Sequence, residues 1–429
     1  MRTRARPRRC VPGTKGPIAK GTIRTTLVLG VRLVVQAGTL LLVARMLGPR
    51  DFGAFAGVAA FAVMLGTLST FGTHLVLLGE VSKDPARRAQ VLPYAVPTTL
   101  LCGSVVLAIY LPVCTYALNE AGMSLYVLLA IGVTETLLQP LFFLPTSEHL
   151  GLGRIARSQL LQTLPLALRL AAAAAVFALH PADPLAAYGY GYFTASLIAL
   201  AVATVTMPGA WPTLRSWRFP ARSELRESTG YAALAITATS PAELDKTLAT
   251  KLLPLAASGL YAAASRVIGA ATLPVIAMML SALPRLFREG QEQSHRTAKL
   301  LRWVFAAAFA YSIVLAAVLW FVAPAFVWIF GAKYEGIQHT IRLLCLAVPG
   351  MALRLAAGGI LMSSSNPWMR VGFEVAGLLV LALAAFILSA QVGAAGMPLA
   401  LACSEWTMVV LGWWFVILSR PNVPRTERK

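Results

Sequence analysis

Charged residues, and acidic ones above all, are scarce in this sequence. Only 13% of its 429 residues are charged, roughly half the share usual in a soluble domain. Aspartate and glutamate number 17 against 37 lysines and arginines, which leaves a net charge of +20. On a soluble protein this excess would suggest nucleic acid. Here the basic residues stand in short segments between apolar runs, with no aromatic–basic RNA motif, so we expect no nucleic-acid partner.

Motifs for metal binding, redox chemistry and catalysis are also lacking. None of the five cysteines belongs to a Cys-x-x-Cys motif or to a cysteine–histidine cluster. Four of them lie in apolar runs, where cysteine behaves as a small hydrophobic residue. No paired-carboxylate or metal-ligand motif appears. We therefore expect no cofactor, no metal and no catalytic residue.

Long apolar runs are what the sequence has instead, with 58% hydrophobic residues and a mean hydropathy of +0.71. A membrane-spanning helix needs about 20 apolar residues, and about twelve such runs occur. The runs are continuous rather than alternating, which favours helices over a barrel, and the first is too long for a signal-peptide core. The predicted spans are 23–47, 52–78, 92–117, 121–146, 159–180, 185–206, 228–252, 257–283, 301–325, 337–362, 370–391 and 393–418.

The basic residues between the spans predict the orientation. With the N-terminus inside, the outer connections hold only Arg50 and Lys333. By the positive-inside rule both termini are cytoplasmic, which requires an even number of spans. The predicted organisation is a basic segment 1–22, a six-helix bundle 23–206, a cytoplasmic linker 207–227, a second six-helix bundle 228–418 and a basic tail 419–429.

A short internal repeat relates the two predicted bundles. A basic-x-Leu sequence followed by Gly-x-aromatic-Ala begins at Arg45, with Gly53 as its glycine, and again at Lys251, with Gly259. Six spans plus six in the same orientation are parallel repeats, related by an axis along the membrane normal. The predicted fold class is therefore an all-α membrane protein of about twelve helices in two six-helix bundles, arranged as an alternating-access transporter.

Charges inside the predicted spans are the candidate functional residues, because each costs about 2.5–3.5 kcal/mol at a helix centre and should face a cavity or a partner. Arg32 and Gln36 lie four residues apart and share a helix face. We expect four residues to contact an anionic substrate and four to serve coupling or gating. The first group is Arg32, Gln36, Lys246 and Arg266, and the second is Asp245, Glu243, Arg45 and Lys251.

Structural interpretations of the same residues stay open. Arg32 could extend its guanidinium to the cytoplasmic surface. Glu243 and Lys246 can pair along one helix, which leaves Asp245 without a local partner. Arg45 and Lys251 could both secure the outer turns. We favour hydrogen bonding between helices as the role of Glu135. For Glu374 and Glu405 we favour ion pairs with Arg354 or Arg370.

One segment of the sequence resembles a known family. Arg45-Met46-Leu47-Gly48-Pro49 followed by Phe52-Gly53 is similar to the first outer turn of the polysaccharide transporter family. That family belongs to the multidrug/oligosaccharidyl-lipid/polysaccharide exporter superfamily and includes O-antigen flippases of the Wzx type. Further similar patches are residues 71–73, 80–84, 243–246, 259–266 and 284–288.

The resemblance implies a flippase that moves polyprenyl-pyrophosphate-linked oligosaccharide to the outer leaflet of a bacterial inner membrane. The product would serve O-antigen, lipopolysaccharide or exopolysaccharide synthesis. The implied partners are the lipid-linked oligosaccharide, membrane lipids, a polysaccharide polymerase and chain-length proteins. The family has no catalytic motif and its substrate residues vary, so no site is assigned by resemblance.

Three other functions compete with this one. A cation-coupled drug or metabolite antiporter of the same superfamily would favour acids in its cavity, whereas bases outnumber acids within these spans. A membrane glycosyltransferase or polysaccharide polymerase would need a substantial outer loop, and the outer connections are too short for one. A scaffold of a polymer-export complex is the third.

Overall fold

The computed structural model describes residues 17–118, 121–272, 274, 295–363 and 367–418, and every regular element in these ranges is helical. This follows from the apolar runs. A backbone surrounded by lipid must satisfy its hydrogen bonds within each segment, which a helix does.

The first half of the molecule, residues 17–205, contains seven helices. Helix α1 is broken at Gly48, whose φ of 73° and ψ of 172° lie outside the helical region. Two π-turns, Val113–Ala117 and Thr134–Leu138, extend α3 and join α4 to α5. The helices are α1 (Pro17–Ser69), α2 (Thr73–Lys83), α3 (Arg88–Pro112), α4 (Leu125–Val133), α5 (Gln139–Gly151), α6 (Ile155–Leu179) and α7 (Pro184–Val205).

The second half, residues 222–418, holds seven more helices in the part that the structure describes. A 3₁₀ turn, Gly393–Ala395, separates the last two helices. The helices are α8 (Arg222–Leu252), α9 (Leu255–Ala271), α10 (His295–Phe330), α11 (Ile337–Leu344), α12 (Val348–Ser363), α13 (Pro367–Val392) and α14 (Gly396–Leu418).

The described helices account for twelve crossings. Seven segments are long and apolar enough to span a bilayer, and the bent pair α11–α12 makes an eighth. Two of the seven, 40 and 51 residues long, are broken at Gly48 and at the Gly393–Ala395 turn, and each is long enough for two crossings at about 1.5 Å per residue. The last two crossings are α8, whose charged residues keep it out of the seven apolar segments, and the 17-residue α9.

Two predicted spans are interrupted in the structure, and a third lies partly outside the described residues. The second ends at Ser69, where Phe71 and Gly72 adopt positive φ, and the chain continues as α2 to Lys83. The tenth is two helices that meet at 44°. Residues 275–283 of the eighth lie outside the described residues.

The linker is shorter than predicted, because α8 already begins at Arg222. It is fastened to the first half: the Arg218 backbone N–H donates to Pro93 O over 3.1 Å, and its guanidinium donates to Gln90 O over 3.0 Å. The same guanidinium pairs with Glu224, which also accepts from the Ala221 N–H at 2.7 Å. The start of α8 is thereby held against α3.

The two halves share one apolar core. Phe55, Ala262 and Tyr334, from both halves, belong to a single buried cluster. A separate cluster around Tyr94 and Leu144 lies in the first half, and another around Phe373 and Met408 lies in the second. The shared core is the part of the fold that any relative movement of the halves must rearrange.

Candidate functional site

The halves make close backbone contact at the ends of their repeated segments that lie outside in the predicted orientation. Gly53 on α1 lies against Gly259 on α9, its repeat equivalent: a Cβ added to Gly53 would stand 2.7 Å from Gly259 N. A Cβ on Gly259 would overlap the carbonyl oxygen of Pro49. Only glycine permits two backbones to approach so closely. We call the Gly53–Gly259 contact and its surroundings the outer seam.

Hydrogen bonds reinforce the outer seam on both sides. Thr250 on α8 donates to Gly53 O over 3.1 Å. Arg45 donates from Nε to Ile329 O at 2.8 Å, and Tyr334 donates its hydroxyl to Ala44 O at 3.0 Å. Arg45 therefore joins the end of the first span to the end of α10. Its repeat equivalent Lys251 is exposed at the outer end of α8.

A buried carboxylate lies below the outer seam in the second half. Asp245 on α8 is 1% exposed and accepts hydrogen bonds from the Tyr261 hydroxyl at 2.8 Å and the Ser265 hydroxyl at 3.2 Å, both on α9. Lys246 Nζ stands 3.4 Å from Asp245 Oδ1 and 3.6 Å from Glu243 Oε2. The expectation that Asp245 lacks a local partner was wrong, because Lys246 lies 3.4 Å from its Oδ1. Its two hydroxyl partners come from the neighbouring helix.

Acceptors surround the ammonium of Lys246 in this conformation. It donates to the Ala242 carbonyl one turn back and to Asp245 Oδ1. The Glu243 carboxylate adds a negative charge 3.6 Å away. Contact between Lys246 and a substrate therefore stays a prediction that requires rearrangement of this cluster.

Two further buried ion pairs continue the polar chain through the second half. Arg354 Nε donates to Glu405 Oε2 at 2.7 Å, between α12 and α14. Arg370 Nε donates to Glu374 Oε1 at 2.9 Å along α13. These are the pairings that the sequence predicts for the two glutamates. Asp245 and Glu374 both lie within electrostatic range of Glu405.

The first half contains a smaller, balanced network. Glu135 lies in the π-turn between α4 and α5 and accepts from Arg169 Nη2 at 3.1 Å and from the Tyr192 hydroxyl. Arg169 also donates to Ser196 Oγ at 3.0 Å, and its guanidinium stacks 3.7 Å over the Tyr192 ring. Glu135 thus joins α6 and α7, which confirms its interpretation as an interhelical contact.

Arg32 is a cation in a different setting. Its Nη1 donates to Gln162 Oε1 at 3.1 Å and to Gln159 Oε1 at 3.5 Å on α6, and no carboxylate among the described residues pairs with it. Gln36, one turn further along, is exposed. Two amide oxygens supply hydrogen bonds but no charge, so this guanidinium retains its positive charge for another ligand.

Arg266 on α9 is the second such cation. It is half-buried and forms no ion pair with a described carboxylate. Its guanidinium lies within electrostatic range of the Tyr188 hydroxyl on α7, across the division between the halves.

The structure separates the predicted site residues into three groups. Asp245, Glu243 and Lys246 form one cluster, Arg45 belongs to the outer seam, and Arg32 and Arg266 remain as unneutralised cations. Sequence reasoning assigned no role to the residues that complete these groups, which are Gln159, Gln162, Arg169, Tyr192, Tyr261 and Ser265. Gln162 and Arg169 stand seven residues apart on one face of α6, a polar stripe that helical periodicity could have found.

The fold is that of a membrane transporter. An inward-facing multidrug resistance MATE family transporter of the MOP superfamily matches with a TM-score of 0.72 and 12% identity, over 92% of this chain and 98% of that one. An outward-facing structure of that description matches with a TM-score of 0.62 and 14% identity, over 94% and 96%. The lipid II flippase MurJ in an inward closed conformation matches with a TM-score of 0.73 and 10% identity, over 92% and 87%.

The family follows from the sequence itself. The family described as polysaccharide biosynthesis protein matches residues 18–289, more than half of the chain, and the chain belongs to it. No curated protein matches the sequence in a direct comparison. Membership of this family confirms the resemblance carried by the Leu47-Gly48-Pro49 turn. The solved structures that this chain matches are transporters.

Proposed function

We propose that this protein is a flippase that carries polyprenyl-(pyro)phosphate-linked oligosaccharide from the cytoplasmic to the outer leaflet of a bacterial plasma membrane. The observation that carries the proposal is the sorting of intramembrane cations. Among the described residues, Arg169, Lys246, Arg354 and Arg370 are paired with acids, whereas Arg32 and Arg266 are not. Arg45 and Arg342 also lack a carboxylate there, but each donates to a backbone carbonyl oxygen, that of Ile329 and that of Trp320 respectively. A phosphate group would neutralise Arg32 and Arg266.

Electrostatics favours an anionic cargo at these positions. An unpaired arginine within a bilayer is expensive and marks a substrate path by default. Guanidinium groups bind phosphate through paired, charge-assisted hydrogen bonds. The glutamines beside Arg32 hold it in place and present amide groups that can also bond to sugar hydroxyls.

Transport requires the halves to open alternately. The closed outer seam and the higher similarity to an inward-facing relative support an inward-facing state for this structure. With a negative interior potential, outward movement of an anion is favourable by about 2.3 kcal/mol per charge per 100 mV. Both termini lie in the cytoplasm under this proposal, and a polysaccharide polymerase would receive the product.

A cation-coupled antiporter is the second candidate. The observation in its favour is Asp245, a buried carboxylate bonded by two hydroxyls, which is an arrangement that could exchange a proton or a metal cation. In the flippase this group would couple cargo movement to an ion. In the antiporter Asp245 would bind the exported compound directly.

The test is flipping in proteoliposomes. A fluorescent polyprenyl-pyrophosphate-linked oligosaccharide is placed in both leaflets, and its exposure to a membrane-impermeant quencher is followed. We expect Arg32→Gln and Arg266→Gln each to slow flipping about tenfold or more, since a hydrogen bond to a charged group contributes about 1.5–3 kcal/mol. Arg32→Lys should retain part of the activity.

Arg342→Gln is the matched control, because Arg342 donates to Trp320 O on α10 and stacks over that indole ring. Wild-type flipping by both well-folded arginine variants would contradict the proposal. Flipping of a cationic drug, but not of the oligosaccharide lipid, would favour the antiporter.

A further inference from the structure

A cleft opens between the inner ends of α8 and α13. Its volume is about 280 Å³. Glu227, Gly230, Tyr231 and Leu234 line it from successive turns of α8, and Trp368 and Val371 line it from the first turns of α13. We call these six residues the inner cleft.

The position of the inner cleft determines which ligands have access to it. Helix α8 begins only five residues before Glu227, and α13 begins one residue before Trp368. Both helix starts are on the cytoplasmic side in the proposed orientation, so the cleft lies at the depth of the inner-leaflet headgroups. Tyr231 also borders the first half, since a Cβ added to Gly72 would stand 2.8 Å from Tyr231 Cβ. The cleft therefore adjoins the division between the halves.

The lining combines aromatic surface with one carboxylate. The Trp368 side chain is 63% exposed, which leaves an indole face available to a ligand. Tyr231 supplies a second ring, and the exposed Glu227 accepts hydrogen bonds without donating any. Apolar surface with a few fixed polar groups is typical of small-ligand sites.

We propose that the inner cleft binds a sugar ring of the lipid-linked cargo before transport. The inference rests on the proposed flippase function and adds a carbohydrate subsite separate from Arg32 and Arg266. The C–H face of a pyranose packs on the Trp368 and Tyr231 rings, and its hydroxyl groups donate to the Glu227 carboxylate. The negative charge of Glu227 directs the phosphate of the same cargo away from the cleft, toward the cations.

Gly230 provides the sharpest variant. A Cβ at this position meets no atom within 4 Å, so Gly230→Leu should fill the cleft without displacing backbone, and leucine favours a helix over glycine. Gly79→Leu is the matched control, because a Cβ at Gly79 on α2 also meets no atom within 4 Å and Gly79 does not line the cleft. Trp368→Ala removes the exposed ring.

The experiment is saturation-transfer NMR on the full-length protein in phosphatidylglycerol nanodiscs, with methyl glycosides of glucose, galactose, rhamnose and N-acetylglucosamine as probes. We expect ring-proton signals from at least one glycoside with the wild type and with Gly79→Leu. Gly230→Leu and Trp368→Ala should lower these signals about fivefold or more, as expected for loss of an aromatic contact.

Three results would overturn the subsite. The first is no glycoside signal with the wild type, and the second is an undiminished signal with Gly230→Leu. The third is a signal from ethanolamine-headgroup protons alone when phosphatidylethanolamine is added, which would assign the cleft to a phospholipid. Glycoside binding does not depend on flipping, so a wild type that binds glycosides but fails to flip the lipid-linked oligosaccharide supports the subsite and contradicts the flippase proposal.

Discussion

The first and second halves are alike where they touch and different where they are polar. At the outer seam the repeated glycines Gly53 and Gly259 occupy equivalent positions. Within the helices the equivalence is lost. Among the described residues, the first half has two separate buried pairs, Glu135 with Arg169 and Glu148 with Arg88. The second half has three, Asp245 with Lys246, Glu405 with Arg354 and Glu374 with Arg370, and both Asp245 and Glu374 lie within electrostatic range of Glu405.

The difference indicates that the two halves have different roles in transport. Close backbone contact constrains both copies of the repeat to glycine, so the seam retains the symmetry. The polar interior carries no such constraint. A change of charge at Asp245 or Glu374 alters the electrostatics of the Arg354–Glu405 pair, because both carboxylates act on Glu405. We therefore expect ion coupling to reside in the second half.

The largest expected effect is the loss of stability when a buried pair of the second half is broken. Glu405→Gln leaves the Arg354 guanidinium buried without a carboxylate, which costs about 3–5 kcal/mol. Thermal unfolding in detergent should show a much lower midpoint. Arg354→Met combined with Glu405→Gln should recover most of the loss, since no unpaired charge then remains.

The corresponding variant of the first half sharpens this comparison. Glu135→Gln leaves Arg169 with Ser196 Oγ and the Tyr192 ring, and we expect a smaller loss of stability. An equal loss in the two halves would contradict the view that the second-half chain is the more interdependent network.

The outer seam provides the next effect. Gly259→Ala places a methyl group on the Pro49 carbonyl, and overpacking of this kind costs about 1–3 kcal/mol. The strain is relieved when the halves separate. We therefore expect an impermeant maleimide to label cysteines introduced on the outer side of the seam more strongly. We also expect slower transport. Gly269→Ala on the same helix is the control, since its Cβ meets no atom within 4 Å. Unchanged labelling in Gly259→Ala would show that the seam does not hold the outer side closed.

A third pair of variants separates stability from coupling. Tyr261→Phe removes a hydrogen bond to Asp245, and Tyr192→Phe removes one to Glu135. Each should lower stability by about 1.5 kcal/mol, near the value for a hydrogen bond to a charged group. Only Tyr261→Phe should shift the dependence of flipping on pH or on sodium concentration. A shift of equal size in Tyr192→Phe would remove the distinction between the halves.

Hydropathy predicted most of the fold, because the bilayer imposes one length and one kind of hydrogen bonding on every span. Its errors lie where a local backbone conformation interrupts a span that remains apolar throughout. The turn at Phe71 and Gly72 and the bend after Leu344 are such interruptions. Neither changes the hydropathy, so no apolar window could reveal it.

The site was predicted only in part, for a similar reason. Contacts within one helix follow from spacing, and the Glu243–Lys246 pair was found in this way. Contacts between helices depend on the rotation of each helix about its axis, which the sequence does not state. Tyr261 was therefore noticed as part of a repeat but not as the donor to Asp245.

The smallest expected effect concerns the linker that joins the halves. Hydrogen bonding from Arg218 holds the pKa of Glu224 below its ordinary value of 4.5. A lowered folded-state pKa stabilises the protein above pH 4.5, and the contribution is lost as the pH falls through the folded value. Because the pair is partly exposed, we expect Glu224→Gln to lower stability by less than about 1 kcal/mol at pH 7. Thermal unfolding at pH 7 and pH 3.5 measures this difference, which should be smaller at the lower pH. A difference that persists in acid would mean that Glu224 acts on the linker by shape rather than by charge.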